Sequence, residues 1–240
     1  IFLLRYSLFA FLIRKIRLQK VFSKIKYIVA NSYFTKERII DLGISSKKIK
    51  VIYPGIDKFS LSTKTKNKYF SQFKRFTPIL ITIARLEKRK NHKKVIYAVN
   101  DLIKEYKNLI YLIVGDGPEK NKLSKIINKL NLKNNIKLLG KVNEIEKVSL
   151  FQISDLHVMP TIDDKIASSI EGFGISYIEA GIYGVPSVSS GIGGTKESVI
   201  NNKTGIICNP HSITSIKNSI RKILNNKKNY KKMSLNAKNF

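Results

Sequence analysis

Cysteine is almost absent, with Cys208 alone among 240 residues. A lone thiol cannot close an internal disulfide, and a zinc site built on cysteines is excluded. A reducing, cytoplasmic compartment fits that usage. Acidic residues are also scarce: Asp plus Glu is 16 against 45 Lys plus Arg, a formal net charge of +29. Such an excess points to anionic partners, whether nucleic acid, acidic lipid or a phosphorylated substrate. The chain is also rich in Lys, Asn and Ile, as AT-rich genomes tend to encode. Its lysines run along the whole length and form no single stripe, so part of the charge is compositional. No apolar run is long enough for a bilayer. IFLLRYSLFAFLI (1–13) is interrupted by Arg5 and closed by Arg14 and Lys15, whereas a span needs roughly 20 apolar residues. No small-residue cleavage site follows it, which argues against a signal peptide. The stretch reads as an amphipathic helix whose upstream partners are missing, with interfacial membrane contact as the alternative.

Hydrophobic residues make up 43% of the chain, enough for a globular core. They fall in a repeating order. IKYIVANS (25–32) reads as a strand, 34–44 as a helix stopped by Gly43, and 49–57 as a strand ended by Pro54-Gly55. Residues 58–77 are polar and basic, with no sustained period, and mark a linker and domain boundary. PILITIARL (78–86) and LIYLIVGDG (109–117) are continuous apolar runs of the type buried on both faces of a parallel sheet. Further strands are expected at 136–142, 156–161, 186–191 and 204–210. Helices are expected at 92–106, 119–132, 143–154, within 171–184, and at 213–226. This alternation predicts an α/β fold, a doubly wound parallel sheet with helices on both faces. In such folds ligands bind beyond the carboxyl ends of the strands, where every glycine-rich turn of this sequence falls.

EGFGISYIEA (171–180) sets Glu171 and Glu179 eight positions apart around Gly172 and Gly174. The glycines allow close backbone approach, and the helix that follows offers free N–H groups to a phosphate. Carboxylates suit sugar hydroxyls because they accept strong charge-assisted hydrogen bonds. The plain alternative is a Gly-rich strand-to-helix turn with one surface glutamate and one on the helix face. Arg85 and Lys90 follow a buried strand, placed either to neutralise a diphosphate or to form a solvated basic loop. VGDGP (114–118), with Gly117, reads as a tight turn. Gly193 and Gly194 fit an anion-binding nest or a flexible loop. His92 opens a helix, His157 lies in a buried strand and His211 sits in a loop. All three read as structural or surface residues, as do Asp163 and Asp164.

The ordered set RLEKRKNHKKVIYA, LIVGDGP, LLGKV, SDLHVMPT, EGFGISYIEAGIYGVPSV, GGTKESV and TGIICNP resembles the C-terminal domain of glycosyltransferase family 4, the retaining GT-B enzymes. VANSYFTKERI…KVIYPGID (29–57) is similar to the last elements of that family's N-terminal domain and its interdomain crossing. The resemblance implies a Rossmann-like, nucleotide-sugar-binding domain at 78–240, a linker at 58–77 and the end of an acceptor domain at 1–57, truncated at both ends. It implies that Arg85 and Lys90 bind the donor diphosphate and that Glu171 contacts the transferred sugar. Phe173, Gly174 and Ile175 would line the sugar and phosphate pocket, with Gly117 nearby. Val142 would meet the base through its backbone, and Glu179 would hold the ribose. No metal and no cofactor are implied beyond a UDP-, GDP- or ADP-sugar donor. Three positions depart from the family pattern: Asn91 stands where Gly is usual, Lys196 where Pro is common, and GIYG (181–184) replaces a small-residue run.

The implied activity is a hexosyl transfer to a glycan or lipid-linked acceptor in cell-envelope polysaccharide synthesis, in the cytoplasm or at the inner face of an anionic membrane. A fragment lacking most of the acceptor domain would be close to inactive by itself. Two rivals stand beside this reading. A basic nucleic-acid-binding protein would account for the charge, but no helix-turn-helix, RNP-type or zinc-knuckle signal is present. A nucleotide-sugar epimerase or a phosphorylase of GT-B architecture would keep the fold and change the reaction.

Overall fold

The computed structural model describes residues 13, 16–56, 68–164 and 169–240. Apart from residue 13, the apolar start at 1–13 lies outside the described residues, as does 58–67 of the expected linker. The chain divides into two compact units, Ile1–Gly55 and Ile56–Phe240.

In the first unit, β1 (Ile28–Ala30) pairs parallel with β2 (Ile49–Val51). Helix α1 (Tyr33–Ile40) connects them and is capped by Ser32, whose hydroxyl accepts from Thr35 N at 3.0 Å. Ala30, Ile44 and Ile49 form its small buried core.

The second unit is the expected doubly wound α/β sheet. Six strands lie in the order β5-β4-β3-β6-β7-β8, and every pairing is parallel. They are β3 (Ile79–Ile83), β4 (Ile110–Val114), β5 (Ile136–Gly140), β6 (Leu156–Val158), β7 (Ser187–Ser189) and β8 (Gly205–Ile207). Alternate residues point to opposite faces of a strand. Leu80, Tyr111 and Ile113 therefore enter one core cluster, and Ile79, Ile81, Ile110 and Leu112 the other. Both faces are covered, which is why 78–86 and 109–117 read as unbroken apolar runs. Each such fully buried side chain contributes about 1.5–3 kcal/mol. A polar pair on the neighbouring strands β3 and β4 satisfies itself: Thr82 Oγ1 and Tyr111 Oη lie 2.6 Å apart.

Two helices escape the hydrophobic pattern. Helix α2 (Lys68–Phe73) lies inside the segment read as linker, and its Tyr69 and Phe73 are buried in the second unit's core. Their i, i+4 spacing is one helical face, masked in the sequence by the surrounding lysines. After α3 (His92–Leu102), α4 (Lys120–Lys129), α5 (Glu144–Ile153), α6 (Ile175–Ile182), the short α7 (Thr195–Ser198) and α8 (Ile213–Leu224), the chain forms α9 (Lys227–Lys238). Helix α9 packs on α6 and α8 through sparse apolar contacts that include Tyr230 and Met233. The GIYG departure has its reason here. A Cβ on Gly181 would lie 2.9 Å from the Ala237 carbonyl oxygen, and one on Gly184 would lie 2.8 Å from Ser234 Oγ. Small residues let α9 approach α6.

The parallel order brings the ends of β3, β4, β5, β6 and β7 to one edge of the sheet. Among the described residues no helix is long and apolar enough to cross a membrane.

Candidate functional site

The site is built where β3 stops. The chain turns through a 3-10 turn, Lys88–Lys90, and Asn91 takes the left-handed conformation, φ 61°. Asn tolerates that region better than other residues with a side chain, which explains how it replaces glycine. It also does what glycine cannot. Its buried amide donates to Pro160 O at 2.9 Å and Pro210 O at 2.8 Å, pinning three loops together. Lys90 is thereby turned inward, its side chain 10% exposed.

Lys90 Nζ donates to Glu171 Oε2. Arg89 Nη1 donates to the same oxygen at 2.7 Å. Arg89 Nε reaches Glu87 Oε2 at 3.0 Å, and Glu87 Oε1 pairs with Arg85 Nη1 at 2.9 Å. Three cations and two carboxylates thus form one chain of ion pairs, Arg85–Glu87–Arg89–Glu171–Lys90, leaving one positive charge in excess. Burial pushes the Glu171 carboxyl up, but Lys90 and then Arg89 outweigh it and hold the group below its usual range. Burial also lowers the Lys90 ammonium, against the pull of Glu171 and with the help of Arg89's charge.

Arg85 is placed differently from Lys90. Its side chain is 75% exposed and bound only to Glu87 among the described residues, so the two predicted diphosphate cations do not meet directly. Glu179 lies one turn into α6 and faces α5, where Lys147 Nζ pairs with its Oε1 at 2.5 Å and with Glu144 Oε2 at 2.7 Å. Burial alone would lower the Lys147 ammonium, but Glu144 and Glu179 more than offset it and raise it. A cavity of about 190 Å³ opens beside this pair, floored by Val148, Phe151 and Tyr183.

Glu171 is fixed from behind by its own backbone. Gly194 N donates to Glu171 O at 2.9 Å, and Ser198 Oγ donates to Phe173 O at 2.7 Å. Phe173 is buried, while Ile175 is 46% exposed at the start of α6. The N-cap of α6 is Gly174, φ 93°, which offers no side-chain cap. The first-turn amides therefore present the helix's positive end at the edge of the sheet. Gly193 and Gly194 form neither a free nest nor a loose loop. A Cβ on Gly193 would lie 2.3 Å from Glu171 O, and one on Gly194 would lie 1.9 Å from Gly172 O, so both are packed backbone to backbone. Gly117 has the same character: its Cβ would lie within 2.9 Å of the Leu86 backbone, and its N–H donates to Asp116 Oδ1 at 2.9 Å. Val142 is half-buried just beyond β5 and packs on the second core cluster.

Sequence reasoning missed Arg89, Glu87 and Lys147. Glu87 had a signal, as the only acid in ARLEKRKNH (84–92). Nothing local distinguishes Arg89 from the cations beside it. Among the described residues no three His, Cys, Asp or Glu side chains group as a metal site.

Residues 63–240 match the family model of glycosyl transferases group 1. The chain is 31% identical to an uncharacterized glycosyltransferase of Methanocaldococcus jannaschii, over 92% of this chain and 55% of that protein. It is 26% identical to the GDP-mannose-dependent alpha-(1-6)-phosphatidylinositol monomannoside mannosyltransferase of Mycobacterium tuberculosis, over 61% of this chain and 38% of that one. It therefore spans about half or less of the curated relatives' length. Among solved structures, Anabaena HepE in complex with UDP and glucose superposes with a TM-score of 0.77 at 24% identity, over 89% of this chain and 57% of that one. A glycosyltransferase from Rickettsia africae gives 0.78 at 24% identity, over 93% of this chain and 61% of that one. At such identities the likeness speaks for the fold.

Proposed function

The chain belongs to the glycosyl transferases group 1 family, and from that premise we propose that the protein transfers a sugar from a nucleotide-sugar to an acceptor with retention at the anomeric carbon, the second unit holding the donor. The observation that carries this reading is the Lys90–Glu171–Arg89 cluster beside the uncapped start of α6. A diphosphate brought there meets an excess positive charge and free amides at once. Its charge grows as the bond to the sugar breaks, so the same groups stabilise the departing diphosphate more than the bound donor. Removing one donor from an enzyme oxyanion hole costs about 2.7–4 kcal/mol, which sets the scale for such groups.

Lys90 and the exposed Arg85 take the diphosphate in this reading. Glu171 Oε1 takes no partner among the described residues, and it accepts a hydroxyl of the transferred sugar. Phe173, Gly174 and Ile175 shape the pocket through their backbone, and the Gly117 turn closes it from the β4 side. Glu179 holds the ribose hydroxyls and Val142 lies against the base. The donor is a UDP-, GDP- or ADP-sugar. The acceptor is a glycan or lipid-linked precursor of a cell-envelope polysaccharide at an anionic membrane face. Residues 198–240 carry nine Lys or Arg and no Asp or Glu, which supports such a docking.

The test is the anomeric configuration of the product. The whole protein, given its nucleotide-sugar and acceptor, is expected to make a linkage with the donor's own anomeric configuration, read from the anomeric proton coupling. An inverted product sinks the retaining mechanism, and free sugar released without acceptor transfer sinks the transferase reading.

A further inference from the structure

Glu171 Oε2 accepts from two cations, and the two are held differently. Arg89 is fixed at both ends of its planar guanidinium: Nε on Glu87 Oε2 at 3.0 Å and Nη1 on Glu171 Oε2 at 2.7 Å. Its backbone is fixed too, since its carbonyl accepts from Ile162 N at 2.8 Å. Lys90 has Glu171 as its sole side-chain partner among the described residues. A lysine is a point charge on a flexible four-carbon stem, whereas an arginine fork loses both bonds if it swings. Lys90 is also the cation that burial disfavours, so it gains most from a second anion.

We propose that Arg89 is a positioning residue that keeps Glu171 ionised and in place when Lys90 turns to the donor diphosphate. The inference rests on the reading above for what Lys90 turns to; the Arg89–Glu171 pairing itself does not. The Glu171 side chain is 14% exposed. If Lys90 were its only cation, donor binding would strand a largely covered carboxylate. Such a group takes up a proton and can then no longer accept as an anion. With Arg89 in place, Oε2 stays anchored and Oε1 stays available to the sugar. Glu87 completes the device, holding Arg89 on one oxygen and Arg85 on the other, so that the exposed arginine is freed to the ligand without loosening the inner one.

The test titrates Glu171 directly, by carbon NMR of labelled glutamate carboxyls, with no ligand present. Lys90→Met imitates the departure of Lys90. In Lys90→Met, Glu171 is expected to titrate below the ordinary glutamate value of about 4.3. In Lys90→Met with Arg89→Gln it is expected above that value, a rise of about one pH unit or more. Arg89→Lys in the same background restores part of the depression, because an ammonium cannot span both glutamates. Equal titration with and without Arg89→Gln, in chains with native amide spectra, overturns the proposal. Should the double variant not fold, Arg89→Gln alone decides by the same logic: a higher Glu171 titration supports the role, an unchanged one removes it. In the whole protein, Arg89→Gln shifts the acid limb of kcat to higher pH and leaves the donor KM within a few-fold. Failure of the transferase reading shows separately, as absence of nucleotide-sugar binding to the unaltered protein.

Discussion

Gly194→Ala is expected to disable the site while changing a single methyl group. The backbone at Gly194, φ −72° and ψ −2°, suits any residue, so no conformational strain is added. The cost is steric. The new Cβ would lie 1.9 Å from Gly172 O and 2.9 Å from Phe173 N. These are backbone atoms and cannot rotate aside as a side-chain tip could. The 171–174 loop must move outward. The 2.9 Å bond from Gly194 N to Glu171 O then breaks, and Glu171 and the start of α6 shift together. Overpacking of this kind costs about 1–3 kcal/mol of stability. A displacement of about 1 Å at a reacting centre costs on the order of 100-fold in kcat/KM. Gly55→Ala, where nothing lies within 4 Å of the added carbon, is the matched control and should leave both quantities unchanged. Urea unfolding and donor kinetics read the two effects. Near-native kinetics in Gly194→Ala would show that the loop does not depend on this contact.

Acid is expected to destabilise the second unit well before its carboxylates titrate. His157 is fully buried between the edges of Phe151 and Tyr177, with Nδ1 3.3 Å from Ser187 Oγ and Nε2 without a partner among the described residues. Burial, with Lys90 adding to it, pushes its pKa down to about 3. His92 opens α3, its Nε2 3.4 Å from Arg85 O and its Nδ1 likewise unpartnered. Burial pushes it down to about 4. In the unfolded chain both rings titrate near pH 6.5. Between pH 6.5 and 4 the unfolded state thus holds protons that the folded state refuses. Stability is full above that window and falls as pH drops through it. Each ring contributes roughly 1 kcal/mol per pH unit, so about 3–4 kcal/mol is lost between pH 7.5 and 5. That is a large share of the roughly 5–15 kcal/mol available to a folded domain. Urea midpoints across this range should fall in the unaltered chain and stay flatter in a His92→Gln, His157→Gln double variant. A level profile in the unaltered chain would mean that neither ring is kept neutral by the fold.

The sheet was legible because burial on both faces leaves an unbroken apolar signature, as in ILITI and IYLIV. The carboxyl ends of β4, β5 and β7 were legible because glycines end or follow them, whereas the end of β3, which carries Arg85 and Lys90, has none. Glu171 and Glu179 stood out by spacing and by resemblance. Other features needed three dimensions. Which cation of Lys88, Arg89 and Lys90 turns inward is decided by the left-handed Asn91 and by carbonyls at Pro160 and Pro210, dozens of residues away. Lys147 reads as one more charge on a helix until α6 brings Glu179 to it. Gly193 and Gly194 looked loose because what constrains them is the backbone of another loop. Helices α2 and α9 were hidden by lysines, whose long stems tolerate a surface helix without contributing to its apolar period.

The central claim is that the second unit forms a nucleotide-sugar site around Glu171, Lys90 and Glu179. Calorimetric titration of the whole protein with UDP-, GDP- and ADP-sugars tests it most directly, with Glu179→Ala beside it. One nucleotide is expected to bind and to raise stability by about 2.7 kcal/mol at 100 times its dissociation constant, and Glu179→Ala is expected to abolish both effects. Silence toward all three nucleotides, or binding that Glu179→Ala leaves intact, would contradict the account.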